Sequence, residues 1–239
     1  KLKTTRKITI ISHFNPDGDA VGSSLALYQY FIREGYEVRV VLPNPVSAFL
    51  CWMPGMEKVI IAERAMKTAE RALADADMPF VVDMNASHRS GNALEPSIVG
   101  SKAFKVLIDH HLSPVIDCDV MFSTTKTTST CELVYQFLSK IADSKEKITK
   151  DVAACIYVGM ITDTGSLSYM CNNPKTYNII AELMKKGING EAIHRQVYDN
   201  YNESRIKLLG LCLSQRLKVM RPIRSEEHTS ELQSRSSIS

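Results

Sequence analysis

Apolar and polar residues follow two periods along this chain, and the periods alternate. Residues 7–11, Lys-Ile-Thr-Ile-Ile, form a short β-branched run of the kind that fills a buried strand. After a loop at 12–17, a helical pattern runs from about residue 19 to 34, and Gly35 stops it as a C′ glycine does. Residues 37–42 predict the next strand. Residues 80–83 and 105–109 are two further apolar runs, each ending in an aspartate. Helical spacing recurs at 66–76, 129–141, 150–161 and 174–186, the last closed by Gly187. Strands alternating with helices predict an α/β fold: a mainly parallel sheet sandwiched by helices, with its site at the carboxyl edge of the strands.

The texture changes from Glu191. Residues 203–220 predict one long amphipathic helix, with Ile206, Leu209, Leu213 and Leu217 on a single stripe that invites self-association. Residues 224–235 are polar and aperiodic and read like a translated sequencing adapter, so 224–239 are set aside as a non-native tail. The expected division is a catalytic domain over 1–190, a connecting helix over 191–223 and that tail. The chain opens on Lys1 rather than Met, so a start upstream is expected.

Composition then narrows the function. With 44% hydrophobic and 23% charged residues the chain belongs with globular proteins rather than disordered or fibrous ones. A net charge of +3 offers no broad basic surface for a long duplex, and a substrate of a few phosphates fits better. The six cysteines include no C-x-x-C pair, and several stand among apolar neighbours, which predicts buried, reduced thiols. Without a signal peptide or an apolar run long enough for a bilayer, a cytoplasmic location and no membrane partner are expected.

The chemistry is concentrated in four clusters where strands, or one helix, should end. The first is His13-Phe-Asn-Pro-Asp17-Gly-Asp19-Ala-Val-Gly22-Ser23. A first βα turn ordinarily offers its helix N-terminus to phosphate. Carboxylates there repel a bare phosphate, so Asp17 and Asp19 require cations between themselves and the substrate. A helix cap needs one residue, not an imidazole and two carboxylates. The second cluster places Asp83 directly after a buried strand, followed by His88, read as a plain loop residue, and Arg89, read as a candidate phosphate contact. The third is Asp109-His110-His111. Successive side chains leaving a strand point in opposite directions, so one histidine can bind metal while the other faces substrate. The fourth puts Asp163 at the end of an apolar helix. None of the four contains a cysteine. Such oxygen and imidazole donors suit Mn²⁺ or a similar ion, and their number points to two divalent cations.

At these residues the chain resembles the DHH phosphoesterases, whose name is the Asp-His-His read here at 109–111. Its first motif is most similar to the nanoRNase/pAp-phosphatase and RecJ-like exonuclease branch. The resemblance implies His13 and Asp17 on one manganese, Asp19, His110 and Asp163 on the other, and Asp83 bridging them. It also implies His111 on the substrate phosphate, with Asp109 orienting a histidine from behind. The expected reaction is two-metal hydrolysis of a phosphate ester, with short RNA oligonucleotides and small phosphorylated nucleotides such as 3′-phosphoadenosine 5′-phosphate as substrates. The glycine-rich, nucleotide-binding second domain of that branch is not found after Asp163, and a chain truncated before it is expected. The competing readings are a family II-type inorganic pyrophosphatase or polyphosphatase, a cyclic-dinucleotide phosphodiesterase and, from another class, an inactive nucleotide-binding module.

Overall fold

The computed structural model describes residues 2–142, 147–199 and 203–218. The chain divides into two compact units, Lys1–Asp199 and Asn200–Ser239. In the first unit β1 (Lys7–Ile11), α1 (Gly18–Arg33) and β2 (Glu37–Leu42) form the opening β-loop-α-β unit. There follow β3 (Ile60–Ile61), α2 (Ala62–Ala74), β4 (Met78–Val82), α3 (Glu95–Gly100), β5 (Val106–Asp109) and β6 (Val120–Ser123). Four helices complete it: α4 (Thr130–Ile141), α5 (Lys150–Asp163), α6 (Pro174–Met184) and α7 (Gly190–Tyr198).

The six strands lie in the order β3-β2-β1-β4-β5-β6 and every neighbouring pair is parallel. Parallel strands require crossovers, which lay helices on both faces, and the apolar strand residues accordingly divide by period two. Ile8, Ile10, Val40, Phe80 and Ile108 pack against α1, α4 and α5 through Val21, Leu25, Leu133 and Ile156. Ile11, Val41, Val81 and Leu107 pack on the other face against Ala69 and Leu73 of α2 and Ile98 of α3. Strand order reverses between β1 and β4. Their diverging crossovers leave a crevice at the carboxyl ends, where doubly wound sheets bind ligands.

Helix α5 is buried from Val152 to Ile161, and it comes very close to α1 at glycines. A Cβ on Gly22 would lie 2.6 Å from the Cys155 carbonyl oxygen, and one on Gly18 would lie 2.3 Å from Thr162 Oγ1. Glycine is therefore required there by contact rather than by φ.

The structure departs from the sequence-based expectations in several elements. The short strands β3 and β6 and the helices α3 and α7 were not foreseen. Helix α2 begins at Ala62 rather than 66, but Ala65 has non-helical angles (φ −145°, ψ 51°), so regular helix does start at Met66. Strand β4 starts earlier than expected and includes Pro79. Pairing with β5 begins at Phe80, so no β5 ladder bond needs the missing proline N–H. Only Cys131, Cys155 and Cys171 are buried. Cys118 is half-buried and Cys51 and Cys212 are exposed, all as free thiols.

In the second unit the expected long helix is shorter: α8 spans Glu203–Leu211, a wider π-type turn covers Cys212–Arg216, and Leu217 is extended. Gly210 is a poor helix former, and the Ser214 hydroxyl donates to the Gly210 carbonyl oxygen at 2.7 Å, which competes with the helical ladder. The stripe residues Ile206, Leu209, Leu213 and Leu217 are exposed. Residues 219–220 of the expected helix and the expected tail at 224–239 lie outside the described residues. No described helix is long and apolar enough to cross a membrane.

Candidate metal centre

The loop after β1 brings the first donors to the crevice. His13 Nδ1 lies 2.8 Å from the Phe14 carbonyl oxygen, which can only accept, so Nδ1 carries the proton. That leaves Nε2 facing the carboxylates, 3.4 Å from Asp83 Oδ2 and 3.9 Å from Asp17 Oδ1, where it can carry a proton or offer its lone pair to a cation. Asp17 caps α1 by accepting from the Asp19 and Ala20 amides, both at 3.0 Å. It is thus both a cap and part of the cluster. Asp19 lies in the first turn of α1, fully buried, with its two oxygens accepting from the Thr130 amide at 2.6 Å and the Cys131 amide at 2.8 Å. Those are the first two amides of α4, unsatisfied within their own helix.

Asp83 follows β4 and holds φ at +58°, a left-handed conformation that aspartate tolerates and most residues avoid. Its Oδ1 accepts from Thr130 Oγ1 at 2.8 Å. Beyond the end of β5 the two histidines do not point to opposite sides as strand alternation predicted: the strand ends at Asp109, and the rings lie side by side, centroids 4.8 Å apart, each with a nitrogen 3.8 Å from Asp83 Oδ1. His110 Nε2 is 3.5 Å from Asp163 Oδ2, 3.8 Å from Asp83 Oδ1 and 3.9 Å from Asp19 Oδ2. These are longer than hydrogen bonds, as donors gathered around a cation would be. His111 Nδ1 instead bonds the fully buried Asp109 Oδ1 at 2.7 Å. Asp163 is the last residue of α5.

Three overlapping donor sets result: His13, Asp17 and Asp83; Asp19, His110 and Asp163; and Asp83, His110 and His111. Within each set the donor atoms lie within 4.8 Å of one another. Asp19, Asp83 and Asp109 form a buried floor, while Asp17, at 61% exposure, and Asp163, at 28%, form an open rim. All the donors are oxygen or imidazole nitrogen, a fit to divalent first-row ions.

The electrostatics reflect carboxylates crowded without counter-charge. Burial, then the nearby Asp83 and Asp163 charges, push Asp19 well above the usual carboxylate range. Burial also raises Asp163, to about 6, against the partial opposition of His110. Burial would raise Asp83 too, but His13 beside it and the Thr130 hydroxyl hold it below its ordinary value. Burial opposes charge on His13, yet Asp83 and the Phe14 carbonyl raise it; His111 is raised chiefly by its bond to Asp109.

At Asp163 the folded, metal-free protein therefore holds more of the proton than the unfolded chain across roughly pH 4–6, from the ordinary aspartate value of 3.8 up to the raised one. The stabilisation from that proton is complete below about pH 4 and is lost as pH rises through 6. Cations compete for the same oxygens, so uptake strengthens over that window. At one Mn²⁺ concentration, about a hundredfold above the Kd at pH 7.5, Tm should rise by about 5–10 °C at pH 7.5 and by less than half that at pH 5. Equal shifts at both pH values in a thermal melt would show that these carboxylates are already ionised without metal.

The DHH family, N-terminal domain, matches residues 7–160. The chain belongs to the DHH family. Among curated DHH relatives, the probable bifunctional oligoribonuclease and PAP phosphatase NrnA of Streptococcus mutans serotype c is 26% identical over 198 residues, 82% of this chain and 58% of the relative. The bifunctional oligoribonuclease and PAP phosphatase NrnA of Bacillus subtilis is 26% identical over 196 residues, 80% of this chain and 57% of its own length. This chain thus spans less than six-tenths of either relative. Among solved structures, an exopolyphosphatase-related protein from Bacteroides fragilis superposes with a TM-score of 0.88 at 39% identity, covering 92% of this chain and 64% of that one.

Of the DHH residues singled out from sequence, all six proposed ligands and His111 meet at the crevice. Arg89 is close enough for its charge to oppose protonation of His111, and its carbonyl oxygen accepts from the Phe14 amide at 2.6 Å. His88 is exposed and belongs to none of the donor sets. The sequence reading missed Thr130 and Cys131, whose amides hold Asp19 and whose side chains meet Asp83 and the Asp19 carbonyl. The available signal was a helix start, Thr-Ser-Thr-Cys at 128–131, but nothing local shows what those amides will face. Gly159 was missed as well: a Cβ there would lie 2.1 Å from Cys131 Sγ and 2.7 Å from Asp19 Oδ1.

Proposed function

We propose that this chain carries the metal-binding half of a phosphoesterase that uses two divalent cations, Mn²⁺ for preference, to hydrolyse short oligoribonucleotides and 3′-phosphoadenosine 5′-phosphate. One observation carries the reading: Asp83 shares one donor set with His13 and Asp17 and another with His110, which itself belongs to the set of Asp19 and Asp163, so Asp83 links the two places a cation would be held. His13 and Asp17 would hold one cation and Asp19, His110 and Asp163 the other. Bound there, such ions would supply Lewis acidity toward phosphoryl oxygens and lower the pKa of water at the site.

The chain's own groups do the rest. The buried floor of Asp19 and Asp83 holds the donors rigidly, because α4 amides and the Thr130 hydroxyl hold both carboxylates in place. The Asp109 carboxylate accepts from His111 Nδ1, which leaves Nε2 as the ring's second nitrogen and favours the charged imidazole. A protonated Nε2 can donate to a phosphoryl oxygen and stabilise charge gathering there. Arg89, beside His111, adds a second positive group for the same phosphate.

The names of the two curated relatives support ribonucleotide substrates, and the Bacteroides fragilis protein favours a second reading, inorganic polyphosphate. A panel of trinucleotide RNA, 3′-phosphoadenosine 5′-phosphate, pyrophosphate and tripolyphosphate, each with Mn²⁺ and with chelator, tests both. The expected result is Mn²⁺-dependent release from the nucleotide substrates. Release from tripolyphosphate alone would favour the second reading, and turnover in excess chelator would sink both.

A further inference from the structure

Of the six proposed ligands, only Asp163 stands at the C-terminus of a helix. That end carries partial negative charge, which disfavours a carboxylate. Asp83 and Asp17 repel Asp163 further, and its attraction within the cluster is to His110 Nε2, 3.5 Å away. The chain that follows is strained. Gly165, Ser166 and Leu167 have φ of +54°, +59° and +64°, and no other run of consecutive positive φ occurs among the described residues. Glycine adopts that conformation freely, but serine and leucine do so at a cost. Such a turn persists only where its surroundings hold it.

Helix α7 supplies a hold from outside. His194 Nε2 and Ser166 Oγ are hydrogen-bonded at 2.8 Å, although the two residues lie 28 positions apart. One helical turn further along α7, the Tyr198 hydroxyl donates to the Ile161 carbonyl oxygen at 2.6 Å. The Ser166 amide donates to that same oxygen at 2.7 Å. The two α7 side chains therefore grip both ends of one closing bond, and the span from Ile161 to Ser166 that it closes contains Asp163. The His194 and Tyr198 rings lie against each other, centroids 4.8 Å apart, so each restricts the other. Thr164, 1% exposed, ties the turn from inside. Its hydroxyl donates to the Met160 carbonyl oxygen at 2.6 Å and accepts from the Leu167 amide at 3.0 Å.

We propose that His194 and Tyr198 are positioning residues: together they lock the strained turn at 165–167 and so set Asp163 within reach of its cation. The proposal rests on the reading above, in which Asp163 holds one of two cations with Asp19 and His110. Neither His194 nor Tyr198 belongs to a donor set, so each would act through Asp163 alone.

The test follows Mn²⁺ binding to the full chain by calorimetry at pH 7.5. Asp163→Asn first identifies the binding step that belongs to Asp163. His194→Ala and Tyr198→Phe should each weaken that step about fivefold and leave the other within about twofold. His194→Gln, whose amide nitrogen can take the place of Nε2, should bind like the wild type. Adding Ser166→Gly to His194→Ala should recover most of the loss, because glycine at +59° needs no hold. A lower Tm with both steps unchanged, or equal weakening of both, would leave the two side chains merely structural and overturn the proposal. If His194→Ala does not fold, Tyr198→Phe, which removes only a hydroxyl, decides alone. If Asp163→Asn binds Mn²⁺ as the wild type does, the reading of Asp163 as a ligand has failed, and the lock is judged without metal. Hydrogen exchange at the Ser166 amide should then be about tenfold faster in Tyr198→Phe than in the wild type, and an unchanged rate overturns the lock itself.

Discussion

Asp83→Asn should abolish metal-dependent hydrolysis, by about a hundredfold or more, while His88→Ala changes it less than twofold. Asp83 is 2% exposed and is shared by two donor sets, so exchanging its carboxylate for an amide removes charge from both cation positions at once. His88 is exposed on the same loop and belongs to no donor set, which makes it a control for disturbance of the loop. The fold should survive the substitution. In the metal-free protein Asp83 is one of three crowded carboxylates and raises the pKa of Asp19 and Asp163, so losing its charge relieves repulsion there. The cost is the pairing with His13 at 3.4 Å. Mn²⁺ affinity by calorimetry and turnover on a small phosphodiester, with folding checked by circular dichroism, decide the matter. Equal losses for the two variants would mean that Asp83 is a structural residue of the β4 turn and not a shared ligand.

Gly159→Ala should lower Tm by about 3–8 °C and weaken Mn²⁺ binding by about tenfold. Replacing an interior helical glycine by alanine normally stabilises by about 1 kcal/mol, so the expected sign runs against propensity. Contact decides it. The new methyl would meet Cys131 Sγ at 2.1 Å, Asp19 Oδ1 at 2.7 Å and Cys131 Cβ at 2.8 Å, and overpacking of a filled interior costs about 1–3 kcal/mol. The Cys131 amide is itself one of the two that hold Asp19, so the movement that relieves the clash also displaces a proposed ligand. Adding Cys131→Ala, which removes the nearest obstacle, should recover part of both losses. A Gly159→Ala protein more stable than the wild type would show that α1, α4 and α5 are not packed this closely.

The donor residues were legible because each follows a strand or helix that its own sequence specifies. Lys-Ile-Thr-Ile-Ile before His13 and Val-Leu-Ile before Asp109 are buried on both faces, so they read as continuous apolar runs whose ends are plain. Chain direction in a parallel sheet then puts every such end at the same edge. The elements that escaped had little to read. Strand β3 has two residues, and β6 is an edge strand whose Val120 and Met121 are exposed, so neither shows a buried run. The expected helix at 203–220 failed for the opposite reason: its stripe was visible, but Gly210 and the Ser214 hydroxyl interrupt the ladder without disturbing hydrophobic period.

Residue identity and local period thus determined which side chains form the proposed metal cluster and at which edge of which strands they lie. They could not determine what holds those side chains there. Asp19 accepts from amides 111 and 112 residues away, and Asp83 from a hydroxyl 47 residues away. Backbone donors carry no mark in the sequence, and the free amides of a helix start look the same whatever they face. Strand order, which fixes the crevice between β1 and β4, and the glycine contacts that seat α5 against α1 arise only when distant elements pack. Those were decided by the tertiary structure, because long-range partners are selected by shape and by unsatisfied hydrogen bonds rather than by neighbours along the chain.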